Sequence, residues 1–338
     1  MIVEKKISVL VPVYGVEKYI ERCARSLFSN TYANICKFIF LNDCTKDNSI
    51  EILKNVVSEF PDLDIEIMEN ETNLGLCLSR QVLLDAAIGK YVIHIDSDDW
   101  VEPDFIELLY KKAEENNADI TTCGIIYEYG DRKRELKQVF KSKKEDLLKE
   151  FITHTVRHVV WNKLFRLDLI RKNNIQFYQR KNCNFCDDSF FTGDCLLVAQ
   201  KFASVEKCLN HYNRININSV SLARNQMFFD VKKQHSLTFE KKLLDLYPNE
   251  DFSEAFSYDR CQIKWEVMLN TFALRKHNYQ LFKGCQKKLQ IKDFESFFQK
   301  LLFWNCDIRN YVGVEILLFL RHVFCQPRKI LKKLKIIK

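Results

Sequence analysis

Three carboxylates stand within four residues at Asp96-Ser97-Asp98-Asp99, directly after the β-branched and largely apolar run Tyr91-Val92-Ile93-His94-Ile95. The run reads as a buried strand. Clustered like charges repel and raise one another's pKa unless a cation or strong donors sit among them, so a positive group is expected at this turn. Oxygen-only ligands favour a hard divalent ion, Mg²⁺ or Mn²⁺, which keeps open positions for phosphate oxygens. The same residues also suit a solvated turn, with Trp100-Val101-Glu102-Pro103 starting the next helix.

The elements that must carry this turn follow a regular order. Ile7–Val13 reads as a first strand, and 16–29 as a helix with Ile20, Cys23, Ala24 and Leu27 on one face. A second strand, 37–41, ends at Asn42-Asp43, and Thr45 or Asp47 can cap the helix that follows, whose apolar stripe is Ile50, Leu53, Val57 and Phe60. Then come a strand at 64–68, a helix at about 76–87, the Tyr91 strand, a helix from Pro103 to about Asn117 and a strand at 120–126. Such alternation predicts an α/β fold with a mostly parallel sheet, right-handed crossovers and ligands bound beyond the carboxyl ends of the strands. Pro12-Val13-Tyr14, Asn42-Asp43 and Asp96 to Asp99 all follow strands and should converge on one edge. Taken singly, Asp43 suits an Asx turn or cap and Tyr14 a packed ring. Neither GxGxxG nor GxxxxGK[ST] occurs, so a phosphate ligand would depend on a cation for neutralisation.

The second half is less regular. Val159 to Phe165 is a compact mixed segment, and 182–188 a polar loop. Asp187-Asp188 opens a helix to about Ala199; the pair suits the positive end of a helix dipole, or supplies a general base facing the metal site. A further strand is expected at 204–213 and helices from about Gln226 onward. His211 can ligate a metal, but a lone histidine near a strand end is more often structural.

The chain has 338 residues, 47% hydrophobic and 29% charged, enough for one large α/β domain with an appendage or for two domains. With only 8 Gly and 5 Pro there is no low-complexity linker. Thirteen Cys without CxxC pairs, several at apolar positions such as Cys23, Cys36, Cys123 and Cys208, suggest reduced thiols of a cytoplasmic protein. The start, Met1-Ile2-Val3-Glu4-Lys5-Lys6, enters a strand with no room for a signal peptide, and no apolar run approaches the roughly 20 residues of a spanning helix. The net charge is +7, and Arg328, Lys329, Lys332, Lys333, Lys335 and Lys338 form a tail with Ile330, Leu331, Leu334 and Ile337 at helical spacing. Such a tail suits peripheral contact with an anionic membrane, or a solvated last turn. Nucleic-acid binding is not expected, because no aromatic platform accompanies the charge.

About the first 220 residues resemble family 2 glycosyltransferases of the GT-A fold. The matching stretches are Ile7 to Tyr14, Leu41 to Ser49, Asn73-Leu74-Gly75-Leu76 with Arg80, and Ile95 to Trp100; Trp161 to Phe165, Asp187-Asp188 and His211 to Arg214 with Ser219-Val220-Ser221 follow in order. By this resemblance the nucleotide site includes Pro12, Tyr14 stacking on the base, Asp43 accepting a hydrogen bond from it, Arg80 bracing it and Asp96 near the ribose. Asp96 and Asp98 match the DxD motif, with Asp98 on Mn²⁺ or Mg²⁺, and Asp188 matches the catalytic base. The resemblance implies one in-line displacement with inversion at the anomeric carbon. Three stretches depart from the pattern: Asn42-Asp43-Cys44-Thr45 lacks one acid and a glycine, Gln81 replaces an asparagine, and Asp187 replaces a glutamate. Gln262-Ile263-Lys264-Trp265 does not match the QxxRW of processive synthases.

The resulting expectation is a GT-A domain at 1–222, with a nucleotide half to about 126 and an acceptor half to 222, and a helical region at 223–338. It would be a hexosyl- or N-acetylhexosaminyl-transferase using a nucleotide-sugar donor, UDP-linked by preference, and a glycan or lipid-linked glycan acceptor. The expected setting is bacterial surface polysaccharide synthesis in the cytoplasm, at the inner face of the membrane. Two alternatives stand beside it: a catalytically silent sugar-nucleotide or glycan-binding module, and a nucleotidyltransferase, although the latter calls for a Gly-rich basic loop where the chain has Tyr14-Gly15-Val16-Glu17.

Overall fold

The computed structural model describes residues 5–177, 187–216 and 226–270. The basic tail, Ser219-Val220-Ser221 and most of the 182–188 loop lie outside the described residues. Two compact units are formed, one by Met1–Ala223 with Leu237–Glu250, the other by Arg224–Ser236 with Asp251–Lys338.

The first unit is built on a nine-stranded sheet. Strands β1 (Ile7–Val13), β2 (Cys36–Asn42), β3 (Asp64–Glu69) and β4 (Tyr91–His94) pair in parallel in the order β3-β2-β1-β4. Helices α1 (Ile20–Phe28), α2 (Ser49–Ser58) and α3 (Leu76–Ala86) form the connections. Every residue of β1 is buried, as its unbroken apolar run requires of a strand covered on both faces. Phe28 of α1 meets Phe38 and Phe40 edge-on at 5.2 and 5.8 Å between ring centroids, locking the helix to β2. Burying a phenyl ring in this way contributes about 2–3 kcal/mol. Gly89 enters β4 at φ +86°, where a Cβ would lie 2.9 Å from the Lys6 carbonyl, so only glycine fits.

Helix α1 begins at Ile20, later than apolar spacing predicts. The reason is a competing set of partners: the backbone N–H groups of Gly15, Val16 and Glu17 donate to Thr45 Oγ1, Ser49 Oγ and Asp47 Oδ2 at 2.8, 3.0 and 3.0 Å. Asp47 also accepts the Ser49 N–H at 3.2 Å, so it caps α2 from just outside the helix.

Beyond β4 the sheet is mixed. The strand expected at 120–126 is β6 (Ile120–Glu128), but it does not pair with β4. Between them lies β8 (Lys163–Arg166), antiparallel to both. It comes from the segment whose pattern was ambiguous, four residues with a lysine at the start. The register Ile93↔Leu164 makes β8 begin where β4 ends. β9 (Phe202–Asn213) runs parallel to β6, and the two-residue β5 (Trp100–Val101) pairs with β9, while β7 (Lys133–Leu136) forms a hairpin with β6. Around this half lie α4 (Phe105–Asn116), α5 (Lys144–Ile152), α6 (Leu167–Lys172) and α7 (Asp187–Val198). Helices α8 (Gln226–Leu246) and α9 (Ser253–Asn270) follow, as expected from Gln226 onward. Within the second unit, Ser236 Oγ donates to Asp259 Oδ2 at 2.5 Å and Lys232 pairs with Glu266 at 2.9 Å. Among the described residues no helix is long and apolar enough to cross a membrane.

Candidate active site

Parallel pairing of β1, β2 and β4 brings the three strand ends singled out by sequence to one edge. Pro12 is buried within β1, opposite Leu41. Tyr14 leaves the sheet with its ring 53% exposed, which a packing role does not require. Gly15 follows at φ +69°, turning the chain back under the side chains of the 45–49 segment.

Asp43 is 3% exposed, and its carboxylate accepts three hydrogen bonds. Its Oδ1 accepts from the Leu74 N–H at 2.7 Å and from Asn70 Nδ2 at 2.8 Å, and Oδ2 accepts from the Gly75 N–H at 2.8 Å. Asn73 Nδ2 adds a bond to the Asp43 carbonyl at 3.0 Å. The carboxylate therefore ties the end of β2 to the loop preceding α3. Cys44, in place of the usual glycine, adopts φ +55°, with its thiol 2.9 Å from the Asn70 carbonyl.

From α3, Arg80 reaches the acidic turn: its Nη2 lies 2.5 Å from Asp96 Oδ1, and Arg80 is only 2% exposed. Asp98 Oδ2 accepts from Asn216 Nδ2 at 2.7 Å. Burial, and then the neighbouring Asp96 charge, push the Asp98 carboxyl up to about 6, although Asn216 and Arg22 pull the other way. Asp99 is fully buried; Oδ1 accepts the Asn213 N–H at 2.8 Å, while Oδ2 has no hydrogen-bond partner among the described residues. Burial and the charges of Asp98 and Asp96 hold it well above the usual carboxylate range.

These observations fit a divalent cation. A carboxyl raised to about 6 and an orphaned buried carboxylate oxygen both report negative charge that the protein leaves incompletely compensated. Among the described residues no group of three or more His, Cys, Asp and Glu side chains forms a ready-made cage.

His211 is turned away from such a role. Its Nδ1 lies 2.7 Å from Glu128 Oε1 and its Nε2 2.8 Å from Glu102 Oε1, so both ring nitrogens are occupied. The ring stacks on Trp100 at 4.9 Å, and Arg22 lies 3.3 Å from the centroid of the Trp100 ring. This stack fastens β5, immediately after the acidic turn, onto β9.

Asp188 opens α7, with Oδ1 accepting the Ser189 N–H at 2.9 Å. One turn later Phe191 stacks on Phe177 at 4.2 Å and meets His94 edge-on at 5.9 Å, which packs the start of α7 against the end of β4. Thus the helix carrying Asp188 rests beside the residues leading into Asp96.

Sequence reasoning assigned no role to Asn213, Asn216 or Lys163. Asn213 Nδ2 also donates to the Asp98 carbonyl at 3.2 Å, so the segment after β9 clamps the acidic turn from both sides. The available signal was the run of asparagines after an apolar strand, and for Lys163 a single cation inside an otherwise apolar run.

A sequence model described as "Glycosyl transferase family 2" matches residues 8–204. Among curated relatives, the putative glycosyltransferase EpsH of Bacillus subtilis (strain 168) is 31% identical over 231 residues, covering 66% of this chain and 65% of EpsH. The chain thus spans slightly less than two thirds of that relative. The fold is similar to S. aureus TarS 1-349, solved in complex with UDP-GlcNAc, at a TM-score of 0.65 with 16% identity over 94% of this chain and 91% of TarS 1-349. It is also similar to the mannosyltransferase PcManGT from Pyrobaculum calidifontis, solved with GDP-Man and Mn²⁺, at a TM-score of 0.51 with 10% identity over 96% of this chain and 88% of that one. The fold is the GT-A architecture implied by the motifs, and with the family model spanning more than half of its length, carrying each strand end described above, the chain belongs to glycosyl transferase family 2.

Proposed function

We propose that the protein is an inverting, metal-dependent glycosyltransferase that moves a sugar from a nucleoside diphosphate, UDP by preference, to a hydroxyl of a growing glycan. The observation that carries this reading is the acidic turn. Asp96, Asp98 and Asp99 stand just past the end of β4 with, among the described residues, only Arg80 in direct ion pairing, and the helix of Asp188 packs alongside. The UDP-GlcNAc complex of TarS supports a UDP-linked donor, and the Mn²⁺ complex of PcManGT supports a divalent ion.

In this reading the exposed Tyr14 ring stacks on the base. Asp43 shapes the adjoining loop and, with three of about four lone-pair sites occupied, retains one for a base N–H. Arg80 fixes Asp96 toward the ribose. Asp98, with Asp96, would hold Mn²⁺ or Mg²⁺, which would supply positive charge to offset that gathering on the diphosphate leaving group. Asp188 takes the proton from the acceptor hydroxyl as its oxygen bonds to the anomeric carbon and the bond to diphosphate breaks on the opposite face. One displacement inverts the anomeric configuration, through a transition state of oxocarbenium character. A lipid-linked acceptor would give the basic C-terminal tail a use at an anionic membrane face.

The test is nucleotide release from a panel of UDP- and GDP-sugars, with Mn²⁺ or with chelator, for wild type, Asp98→Ala and Asp188→Asn. The reading expects metal-dependent release from one donor, abolished by Asp98→Ala and lowered on the order of 10²–10⁴-fold by Asp188→Asn with donor binding intact. Absence of nucleotide-sugar binding in the presence of metal would put a glycan-binding module in its place.

A further inference from the structure

Lys163 is the one charged residue of the Val159–Phe165 segment, the proposed reaction gives it no role, and it is wholly buried at the start of β8. Burying an ammonium is costly unless its donors are satisfied and an opposite charge is near. All three donors are used: Nζ binds the carbonyls of Val159 and Arg157 at 2.7 and 2.9 Å and Asn162 Oδ1 at 2.8 Å. These bonds close the 157–162 loop onto the sheet edge. The same loop carries His158, whose Nε2 lies 2.7 Å from the Phe151 carbonyl and can only donate there, leaving Nδ1 to accept from Ser189 Oγ at 3.2 Å. Ser189 adjoins Asp188, so the loop held by Lys163 also holds the first turn of α7. The Asp188 charge favours the protonated form of Lys163.

We propose that Lys163 is a positioning residue for Asp188: it anchors the loop that, through His158 and Ser189, fixes the start of α7, and it supplies a buried positive charge within electrostatic reach of the Asp188 carboxylate. This rests on the reading of Asp188 as the base. Among the described residues, Cys123 of β6 also lies within electrostatic reach of Lys163, and Ser189, with His158 behind it, adjoins Asp188. Burial brings Lys163 down to about 7, against the pull of Cys123 and Asp188, so the charge that serves Asp188 is itself sensitive to its surroundings.

The experiment combines Lys163→Met, Lys163→Gln, Asp188→Asn and the Lys163→Met/Asp188→Asn double variant in the full chain. It follows donor turnover against pH, Mn²⁺-UDP affinity by titration, and urea unfolding. Lys163→Gln removes the charge while keeping two N–H donors on a shorter side chain, so it carries the test if Lys163→Met does not fold. The proposal expects kcat to fall on the order of 10- to 100-fold with donor KM and UDP affinity little changed. It expects the acid limb of the kcat profile to move up by about one pH unit, because Asp188 has lost its cation. In the unfolding cycle, the double variant should be destabilised about tenfold less in folding constant than the product of the single effects. Wild-type turnover in Lys163→Gln overturns the proposal, as does a slower enzyme with an unmoved acid limb and additive unfolding, which would mark Lys163 as scaffold only. Asp188→Asn retaining wild-type turnover overturns the base assignment itself, visibly and separately from any coupling, and removes the positioning role with it.

Discussion

The guanidinium of Arg80 meets the Asp96 carboxylate at 2.5 Å with the arginine side chain 3% exposed, and it is the direct ion pair made by the three carboxylates of the acidic turn among the described residues. Because the pair is largely shielded, removing the cation leaves Asp96 facing Asp98 and Asp99 uncompensated. Arg80→Met should therefore cost about 3–5 kcal/mol of stability, the usual loss when one member of a buried pair is deleted. Urea unfolding with and without Mn²⁺ checks it. Added metal should restore part of the loss, and a variant as stable as wild type in chelator would show that the pair is not needed to hold the turn.

Asp98 gives a pH dependence of opposite sign to most carboxylates. Its carboxyl lies near 6 in the folded protein against an ordinary value of 3.8, so between these values the native state binds more protons than the unfolded chain. The contribution of this group to stability is fully present below about pH 4 and is lost as pH rises to about 6. Divalent metal should reverse the loss, so Mn²⁺ is expected to raise Tm more at pH 7 than at pH 5. Asp98→Asn should flatten both trends. An equal metal effect at both pH values would count against charge compensation at this carboxylate.

Tyr14 separates binding from folding. Its ring is half exposed, and truncation should change stability by no more than about 0.5 kcal/mol. If the ring stacks on the base, Tyr14→Ala should lose about 1–3 kcal/mol of nucleotide affinity, measured by UDP titration. Unchanged affinity would remove Tyr14 from the site.

His94 carries a stability cost that the protein retains. Both ring nitrogens are buried with no hydrogen-bond partner among the described residues, and the ring meets Phe177 and Phe191 edge-on. Burial, and then the nearby Arg80 charge, hold its pKa well below 6.5. As pH falls through 6.5 the unfolded chain gains a proton that the native state refuses, so stability declines on the acid side. His94→Leu should raise stability by about 1–3 kcal/mol and remove that decline. Thermal denaturation from pH 5 to 8 decides the point: a destabilised variant at every pH would mean that the imidazole is packed to advantage.

Much of this molecule is written locally. The unbroken apolar run of β1, the 3.6-residue spacing of α1 and α2, and three carboxylates placed directly after a strand can be read from short windows, because strand burial and helix amphipathicity depend on near neighbours. Right-handed parallel crossovers then bring Tyr14, Asp43 and Asp96 to one edge without further information. What the sequence did not determine lies in long-range pairing. β8 is only four residues long and slips between β4 and β6, turning half of the sheet mixed and placing Lys163 at the level of His94. Asn216 reaches Asp98 across 118 residues, and Asp43 spends its carboxylate on Leu74 and Gly75 about thirty residues away. Those partners are chosen by the geometry of closed loops around a packed sheet. A side chain's type announces that it needs a partner, and only the tertiary structure decides which group comes within hydrogen-bonding distance.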